Sequence, residues 1–166
     1  MHPVVGRAIA ASGWTACRGA WLRRRHFGPA AMARLAEAIR AAETGHEGEL
    51  LLVVETCLPH TPEDGRVRAL EVFGREGVWD TERGTGVLLY LALGDHCIEL
   101  IPDRGVPVPA QRWQAICQAL QQDMARHRYE AGLLKAISAI EQALRESLPA
   151  EAADARNRLP DTPVLR

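Results

Sequence analysis

The chain has 166 residues, of which 47% are hydrophobic and 25% are charged, so its composition is that of one folded globular domain and excludes a disordered protein. Its longest apolar run, residues 87–93, is much shorter than the roughly 20 residues that cross a bilayer. Because the first residues also lack the apolar core of a signal peptide, we expect a cytoplasmic protein.

Residues 1–28 form a predicted basic arm, because they hold five arginines and no acid although the net charge of the whole chain is −1. Arginines interspersed with aromatic residues are typical of segments that bind anionic membrane surfaces. Alternatively, Trp21, Leu22 and Phe27 pack against the rest of the protein and leave the arginines in water or on its acidic surface. Composition does not choose between these interpretations, and we expect no nucleic-acid partner.

A helix and a strand are predicted directly after the arm. Apolar residues recur at helical spacing between Pro29 and Gly45, with the proline in the first turn and the glycine just past the end. The run ELLLVVET, residues 49–56, is mainly apolar and contains β-branched residues, which predicts a buried strand.

A second helix is predicted over residues 62–76. Thr61 can cap its N-terminus, and Pro62 suits the first helical position. The apolar residues predicted to share its core-facing side are Val67, Leu70 and Phe73.

A β-hairpin follows, because two apolar runs, residues 86–93 and 96–101, flank a Gly94-Asp95 pair. The preceding strand, helix and strand predict a β-α-β unit with parallel strands and a right-handed crossover. The hairpin then adds an antiparallel strand, so we expect a mixed sheet.

Two more amphipathic helices are predicted, one beginning near Pro109 and one whose apolar stripe runs from Leu133 to Leu144. Together these elements predict an α/β fold, a three-layer α/β/α sandwich in which helices cover both faces of a small mixed sheet. The predicted organisation is a basic arm at 1–28, one domain at 29–148, and a polar tail at 149–166 that lies on the surface or is mobile.

Three loops are predicted to meet at one edge of this sheet. The loops at 78–85 and 102–109 share an edge because the hairpin strands are antiparallel, and the turn at 43–48 enters the same edge if the first two strands are parallel. The charged residues that these loops bring toward one another are Glu43, His46, Glu47, Asp80, Glu82, Arg83, Asp103 and Arg104.

Carboxylates from several loops are the ligands that Ca²⁺ and Mg²⁺ prefer, so this edge predicts a divalent-cation site. The predicted metal ligands are Glu43, Asp80, Glu82 and Asp103. The residues predicted to contact a bound ligand or partner are Trp79, Arg83 and Arg104. The alternative is that these side chains are solvated loop charges and inter-loop ion pairs.

A nucleophilic site at the opposite edge is a third interpretation, since Cys57 and His60 follow the first strand and Asp95 lies in the hairpin turn. The sequence has no oxyanion-hole signature there, which favours structural roles. The cysteines have no C-x-x-C spacing and are predicted to be reduced thiols: Cys17, Cys57, Cys97 and Cys117.

Several motifs together resemble the TPM-domain family, and the resemblance covers about residues 30–148. Its most specific part runs from Trp79 through Gly105 and includes VWDT at 78–81, GVLLY at 86–90 and DRG at 103–105. The ELLLVVE strand, Trp113 and YEAG at 129–132 fit the same family. We therefore expect a short bacterial-type member without signal peptide or membrane anchor.

The resemblance implies a compact α/β sandwich, a phosphatase activity reported for plant relatives, divalent-cation binding in some bacterial ones, and links to membrane-protein maintenance. We expect an accessory or binding module that contacts an ion or a partner protein. The alternative is a metal-dependent phosphatase for phosphate monoesters, with the metal at Asp80 and Asp103 and with Arg83 and Arg104 steadying the phosphate. Relatives commonly have Gly-x-Gly after the third strand, where this chain has DRG at 103–105.

Overall fold

The computed structural model describes residues 14–59, 65–81, 83–149 and 159–166. Helices and strands alternate along these residues as the α/β prediction requires. In chain order they are α1 (Trp14–His26), α2 (Pro29–Ala42), β1 (Glu49–Glu55), α3 (Gly65–Arg75), β2 (Gly86–Ala92), β3 (Cys97–Pro102), α4 (Ala110–Ala125), α5 (Tyr129–Ser147) and β4 (Val164–Leu165).

The four strands of the described residues form one mixed sheet in the order β3-β2-β1-β4. Strands β1 and β2 are parallel, with Glu49 opposite Gly86, and β2 and β3 form an antiparallel hairpin. The predicted β-α-β unit and hairpin are therefore confirmed. They could be predicted because both depend on local apolar runs and turn residues.

Helices cover both faces of the sheet. Alternate residues of a strand face opposite sides, and in β1 the side chains of Leu50 and Leu52 join the core cluster beneath α1, α2, α4 and α5. Leu51 and Val53 face the other way, into the smaller cluster beneath α3. The predicted three-layer architecture is confirmed.

The buried side of α3 differs from the prediction. Val67 and Leu70 are 46% and 48% exposed, whereas Gly65, Ala69 and Val72 are buried. Residues 65, 69 and 72 share one side of a helix, and the two smallest side chains on it let α3 lie close to the sheet. Val67 and Leu70 therefore remain on the outside, whereas Phe73, the third predicted residue, is partly buried and packs against the smaller cluster.

The basic arm contains a helix that the sequence pattern did not predict. Helix α1 packs against the C-terminal end of β1. Gly19 of this helix lies so close to the Thr56 carbonyl that a Cβ atom would overlap it. Leu22 and Phe27 are buried in the larger core cluster, while Trp21 is 58% exposed. Packing of Leu22 and Phe27 agrees with the second interpretation of the arm.

The last residues, 159–166, lie along the outer edge of β1. Val164 and Leu165 pair in parallel with Val53 and Val54. The Arg166 amide donates to the Val54 carbonyl at 3.0 Å. This short strand was not predicted, because two residues carry no sequence periodicity.

All four cysteines are free, as predicted. Over the described ranges, no helix combines the length and the apolar character needed to cross a bilayer.

Candidate functional site

Three loops meet at the edge of the sheet where β2 begins and β3 ends. The Thr85 hydroxyl donates to the Glu47 carbonyl at 2.6 Å, which joins the loop before β2 to the turn before β1. The Gly105 amide donates to the Gly84 carbonyl at 2.8 Å, which joins the same loop to the one after β3. We call this surface the loop edge, and it consists of residues 43–48, 78–81, 83–85 and 102–105.

Two glycines allow the loops to approach so closely. Gly84 has a φ of +66°, which L side chains rarely adopt, and a Cβ there would lie 3.2 Å from Asp103 Oδ2. A Cβ on Gly105 would overlap the carbonyl oxygen of Arg83. Backbone packing thus requires the glycine of the DRG sequence after β3.

Most charged groups of the loop edge have a nearby partner. Arg83 Nη1 lies 2.7 Å from Glu47 Oε2, and Arg83 is 62% exposed. Asp103 Oδ1 accepts a hydrogen bond from the Arg104 amide at 2.7 Å, and the Arg104 side chain is exposed. The Arg83 end of its ion pair is exposed, whereas the Glu47 side chain is only 12% exposed. The Asp103 contact is a hydrogen bond from a backbone amide, which leaves the other carboxylate oxygen of Asp103 to face a ligand.

Trp79 projects from the loop edge with 56% of its surface exposed. Its indole Nε1–H donates to the Gly74 carbonyl at 3.2 Å, which fixes the ring relative to α3. Asp80 follows it and is exposed, with its amide bonded to the Gly77 carbonyl at 2.9 Å. A large ring that is exposed and held in place is typical of a contact residue.

His46 has a structural role in the turn before β1. The side chain is only 2% exposed, and its Nδ1 accepts a hydrogen bond from the Gly48 amide at 3.0 Å. An accepting Nδ1 is unprotonated, so the ring orders the turn rather than supplying a cation to the loop edge.

Glu43 contacts β1 and the C-terminal residues. Its Oε1 accepts the Leu50 amide at 2.8 Å, and its carboxyl also hydrogen-bonds to Asp161. Burial, with further contributions from Asp161 and Glu49, raises the pKa of Glu43 to about 8. Glu43 therefore keeps its proton at neutral pH and joins α2 to residues 159–166, a contact that no pattern in the sequence indicates.

The predicted four-carboxylate metal site stays a prediction. Of the residues with a described position, no three Asp, Glu, His or Cys side chains are arranged to hold a metal ion. Glu82 lies outside the described residues, and Glu43 is engaged with Leu50 and Asp161. Asp80 and Asp103 belong to adjoining loops of the loop edge.

At the opposite edge, Asp95 closes a turn. Its Oδ2 accepts the Leu58 amide at 2.7 Å, which is a structural role for a carboxylate. His60 lies outside the described residues, so the nucleophilic interpretation of Cys57, His60 and Asp95 stays untested.

A buried polar cluster under α3 was missed by the sequence analysis. Arg68 donates to both carboxylate oxygens of Glu55, at 2.7 and 3.1 Å, and the Tyr90 hydroxyl donates to Glu55 at 2.7 Å. Burial opposes ionisation, but these hydrogen bonds outweigh it and hold the pKa of Glu55 below its ordinary value. A glutamate in an otherwise apolar strand was the available signal.

Residues 25–143 match the family model of the TPM domain. The fold is also similar to the NMR structure of the BA42 protein from the psychrophilic bacterium Bizionia argentinensis, with a TM-score of 0.74 and 26% identity. That match covers 84% of this chain and 94% of the other. A search of the curated proteins found no significant match. Since the family model spans most of the α/β fold, this chain belongs to the TPM-domain family.

Proposed function

We propose that the chain is a binding module whose loop edge takes up a divalent cation and contacts a partner protein. The observation that carries the proposal is Trp79, whose exposed ring is fixed by its hydrogen bond to Gly74 beside three interconnected loops. Exposed aromatic residues held in one orientation lose little conformational entropy on binding, which makes them effective anchors.

The cation would be held by Asp80 and Asp103 together with the predicted ligand Glu82. Ca²⁺ takes six to eight oxygen ligands, and Mg²⁺ usually keeps several waters. Three carboxylates leave open coordination positions, which carbonyl or carboxylate oxygens of a partner can fill. In this proposal the ion strengthens partner binding rather than supporting a reaction.

The proposed partner class is a membrane protein or a factor that maintains one, as the family resemblance implies. Arg83 and Arg104 at the same edge can pair with acidic groups of such a partner once the Arg83–Glu47 contact opens.

The second candidate is a metal-dependent phosphatase. The specific observation in its favour is that Arg104 lies against Gly84, the residue after Arg83, so that two guanidinium-bearing residues occupy adjoining loops. Guanidinium groups bind phosphate oxygens in bidentate fashion. In this alternative a metal at Asp80 and Asp103 polarises the phosphate.

Thermal unfolding with Ca²⁺, Mg²⁺ and chelator tests the cation. Binding at 100 times the Kd adds about 2.7 kcal/mol, on the order of 5–10 °C in Tm for a chain of this size. We expect this rise in the native protein and its loss in Asp80→Asn/Asp103→Asn. A matched control, Glu37→Gln/Glu146→Gln, removes two exposed carboxylates from helices and should respond like the native protein.

Hydrolysis of a phosphate monoester separates the two candidates. The binding-module proposal predicts no turnover with either ion, even where Tm rises. Ion-dependent turnover that is lost in Arg83→Ala and Arg104→Ala would favour the phosphatase. If Tm does not rise at millimolar Ca²⁺ or Mg²⁺, the bound cation of the binding module and that of the phosphatase are both contradicted.

A further inference from the structure

One end of the molecule joins α1 to two turns that are distant in sequence. The Arg18 side chain donates to the carbonyl of Gly94 in the β2–β3 turn. The His26 ring lies on the Tyr129 ring with a centroid distance of 4.4 Å, and the His127 ring lies 6.3 Å from the same tyrosine. These contacts create one surface, the basic end face, which consists of Arg18, Trp21, Arg24, Arg25, His26, His96 and His127.

The outer side of α1 forms the exposed part of the basic end face. Cys17, Trp21, Arg24 and Arg25 are exposed and lie at i, i+4, i+7 and i+8, on one stripe of the helix, while Leu22 faces the core. The exposed side of α1 therefore presents two arginines beside one large aromatic ring, while its apolar residues face the core.

Positive charge on this surface is largely uncompensated. Where the structure describes their neighbours, Arg24 and Arg25 have no carboxylate partner. The guanidinium of Arg25 lies over the Trp21 ring, 5.7 Å from its centroid. The nearby acid Asp95 already accepts the Leu58 amide. A surface with these charges attracts anionic groups.

We propose that the basic end face docks on an anionic lipid surface, with Trp21 at the headgroup level, arginines on the lipid phosphates, and tighter docking at acidic pH. Tryptophan is enriched at this depth of a bilayer, and basic residues near an anionic leaflet add to binding. Nucleic acid fits less well, because base stacking needs open aromatic faces and Arg25 covers one face of Trp21.

His26 gives the docking its first source of pH dependence. Burial lowers the pKa of His26, and the positive charges of Arg25 on its own helix and of His127 on the α4–α5 turn add to this effect. Tyr129 of α5 stacks on its ring and carries no charge at neutral pH. An anionic surface offsets the repulsion, so docking favours proton uptake by His26.

His96 is the second source of pH dependence, because its pKa is also lowered in the free protein. Burial, Arg18 and His127 lower the pKa of His96, and Asp95 opposes them. His96 and His127 also have φ values of 52° and 58°, a left-handed conformation that side chains other than glycine seldom adopt. Both turns thus present a strained histidine on the same surface, as occurs at binding sites.

Co-sedimentation with lipid vesicles tests the proposal. The full chain is expected to bind vesicles of phosphatidylcholine with 30% phosphatidylglycerol, more tightly at pH 5.5 than at 7.5, and to dissociate at high salt. Each arginine near an anionic leaflet contributes about 1 kcal/mol to binding, so the loss of two weakens it about 30-fold. Arg24→Glu/Arg25→Glu also adds two repelled charges and should weaken binding by at least that factor. Trp21→Ala should reduce the blue shift of tryptophan fluorescence that accompanies vesicle binding.

The control variant Arg75→Glu/Arg145→Glu changes the net charge equally but alters exposed arginines on α3 and α5. It should bind like the native protein. Arg24→Glu/Arg25→Glu should unfold at the native temperature because both arginines are exposed, whereas the control loses the ion pair of Arg145 with Glu141, which should cost no more than about 1 kcal/mol. His26→Gln/His96→Asn should reduce the difference between pH 5.5 and 7.5.

Equal loss in the control variant, equal binding to neutral vesicles, or unchanged binding of Arg24→Glu/Arg25→Glu would overturn the proposal. Binding of single-stranded nucleic acid that depends on these arginines, without binding to anionic vesicles, would overturn it in favour of a nucleic-acid partner. None of these outcomes depends on the loop edge.

Discussion

Replacing Glu43 by glutamine is expected to stabilise the protein at mildly alkaline pH. In the native protein the Glu43 carboxyl accepts the Leu50 amide and hydrogen-bonds to Asp161. Glutamine offers the same carbonyl acceptor and an N–H donor, so Glu43→Gln reproduces the protonated carboxyl at every pH. The variant keeps the contact between α2 and residues 159–166 but removes the titration.

The size of the effect follows from the pKa of Glu43, which is raised from 4.5 to about 8. Between these values the unfolded chain loses the proton while the folded chain keeps it. The contribution of Glu43 to the free energy of unfolding is therefore highest below pH 4.5 and falls by about 1.4 kcal/mol per pH unit until pH 8. The accumulated loss from this group reaches up to about 5 kcal/mol at pH 8.

Urea unfolding from pH 4.5 to 8.5 measures the prediction. Glu43→Gln and the native protein should have similar stability at pH 4.5, and the variant should be more stable by several kcal/mol at pH 8. Glu37→Gln, an exposed position on the same helix, is the matched control and should follow the native curve. A Glu43→Gln curve that falls in parallel with the native one would refute this account of Glu43.

Two further predictions concern packing. Arg68→Met should destabilise the fold by about 3–5 kcal/mol in urea unfolding, because it leaves Glu55 buried without its partner, whereas Arg66→Met, at an exposed position, should cost less than about 1 kcal/mol. Gly19→Ala should lower the free energy of unfolding by about 1–3 kcal/mol, because its Cβ would overlap the backbone at the end of β1. Gly28→Ala is the control and should be close to neutral, because a Cβ there meets open space. Equal melting temperatures for the two alanine variants would contradict the close packing of α1.

The sheet was predictable because its determinants are local. The ELLLVVE run and the Gly94-Asp95 turn specify strands and a hairpin without reference to the rest of the chain. Strand directions then require the loops before β2 and after β3 to share an edge. The contact between Gly84 and Gly105 is the direct result of this topology.

The elements that were missed depend on distant partners. Helix α1 contains Gly19 in its middle, which weakens a helix in isolation and is favourable only because it lets the helix approach β1. Strand β4 is defined by Val53 and Val54 rather than by its own residues. The pairing of Glu43 with Asp161 joins residues that are far apart in the sequence, and no spacing rule reaches that far.

Two of the three residues predicted to face the core from α3 were wrong for a related reason, while Phe73 does pack against the smaller cluster. Apolar size suggested that Val67 and Leu70 face the core, but close contact with the sheet selects Gly65 and Ala69. The charged residues of the loop edge are a different case, since their types were visible in the sequence while the pairing between them was not. Only the folded loops show that Arg83 pairs with Glu47.

The most direct test of the proposed function is a two-dimensional amide NMR titration of the full chain with Ca²⁺. A cation bound by Asp80 and Asp103 predicts saturable shifts concentrated at residues 79–85 and 102–105, reversed by chelator and absent in Asp80→Asn/Asp103→Asn. The amides of the α4–α5 turn, residues 126–128, serve as the internal control and should not move. Saturable shifts that leave the loop edge unchanged, or no shifts at millimolar Ca²⁺ and Mg²⁺, would contradict the proposal that this edge binds a divalent cation.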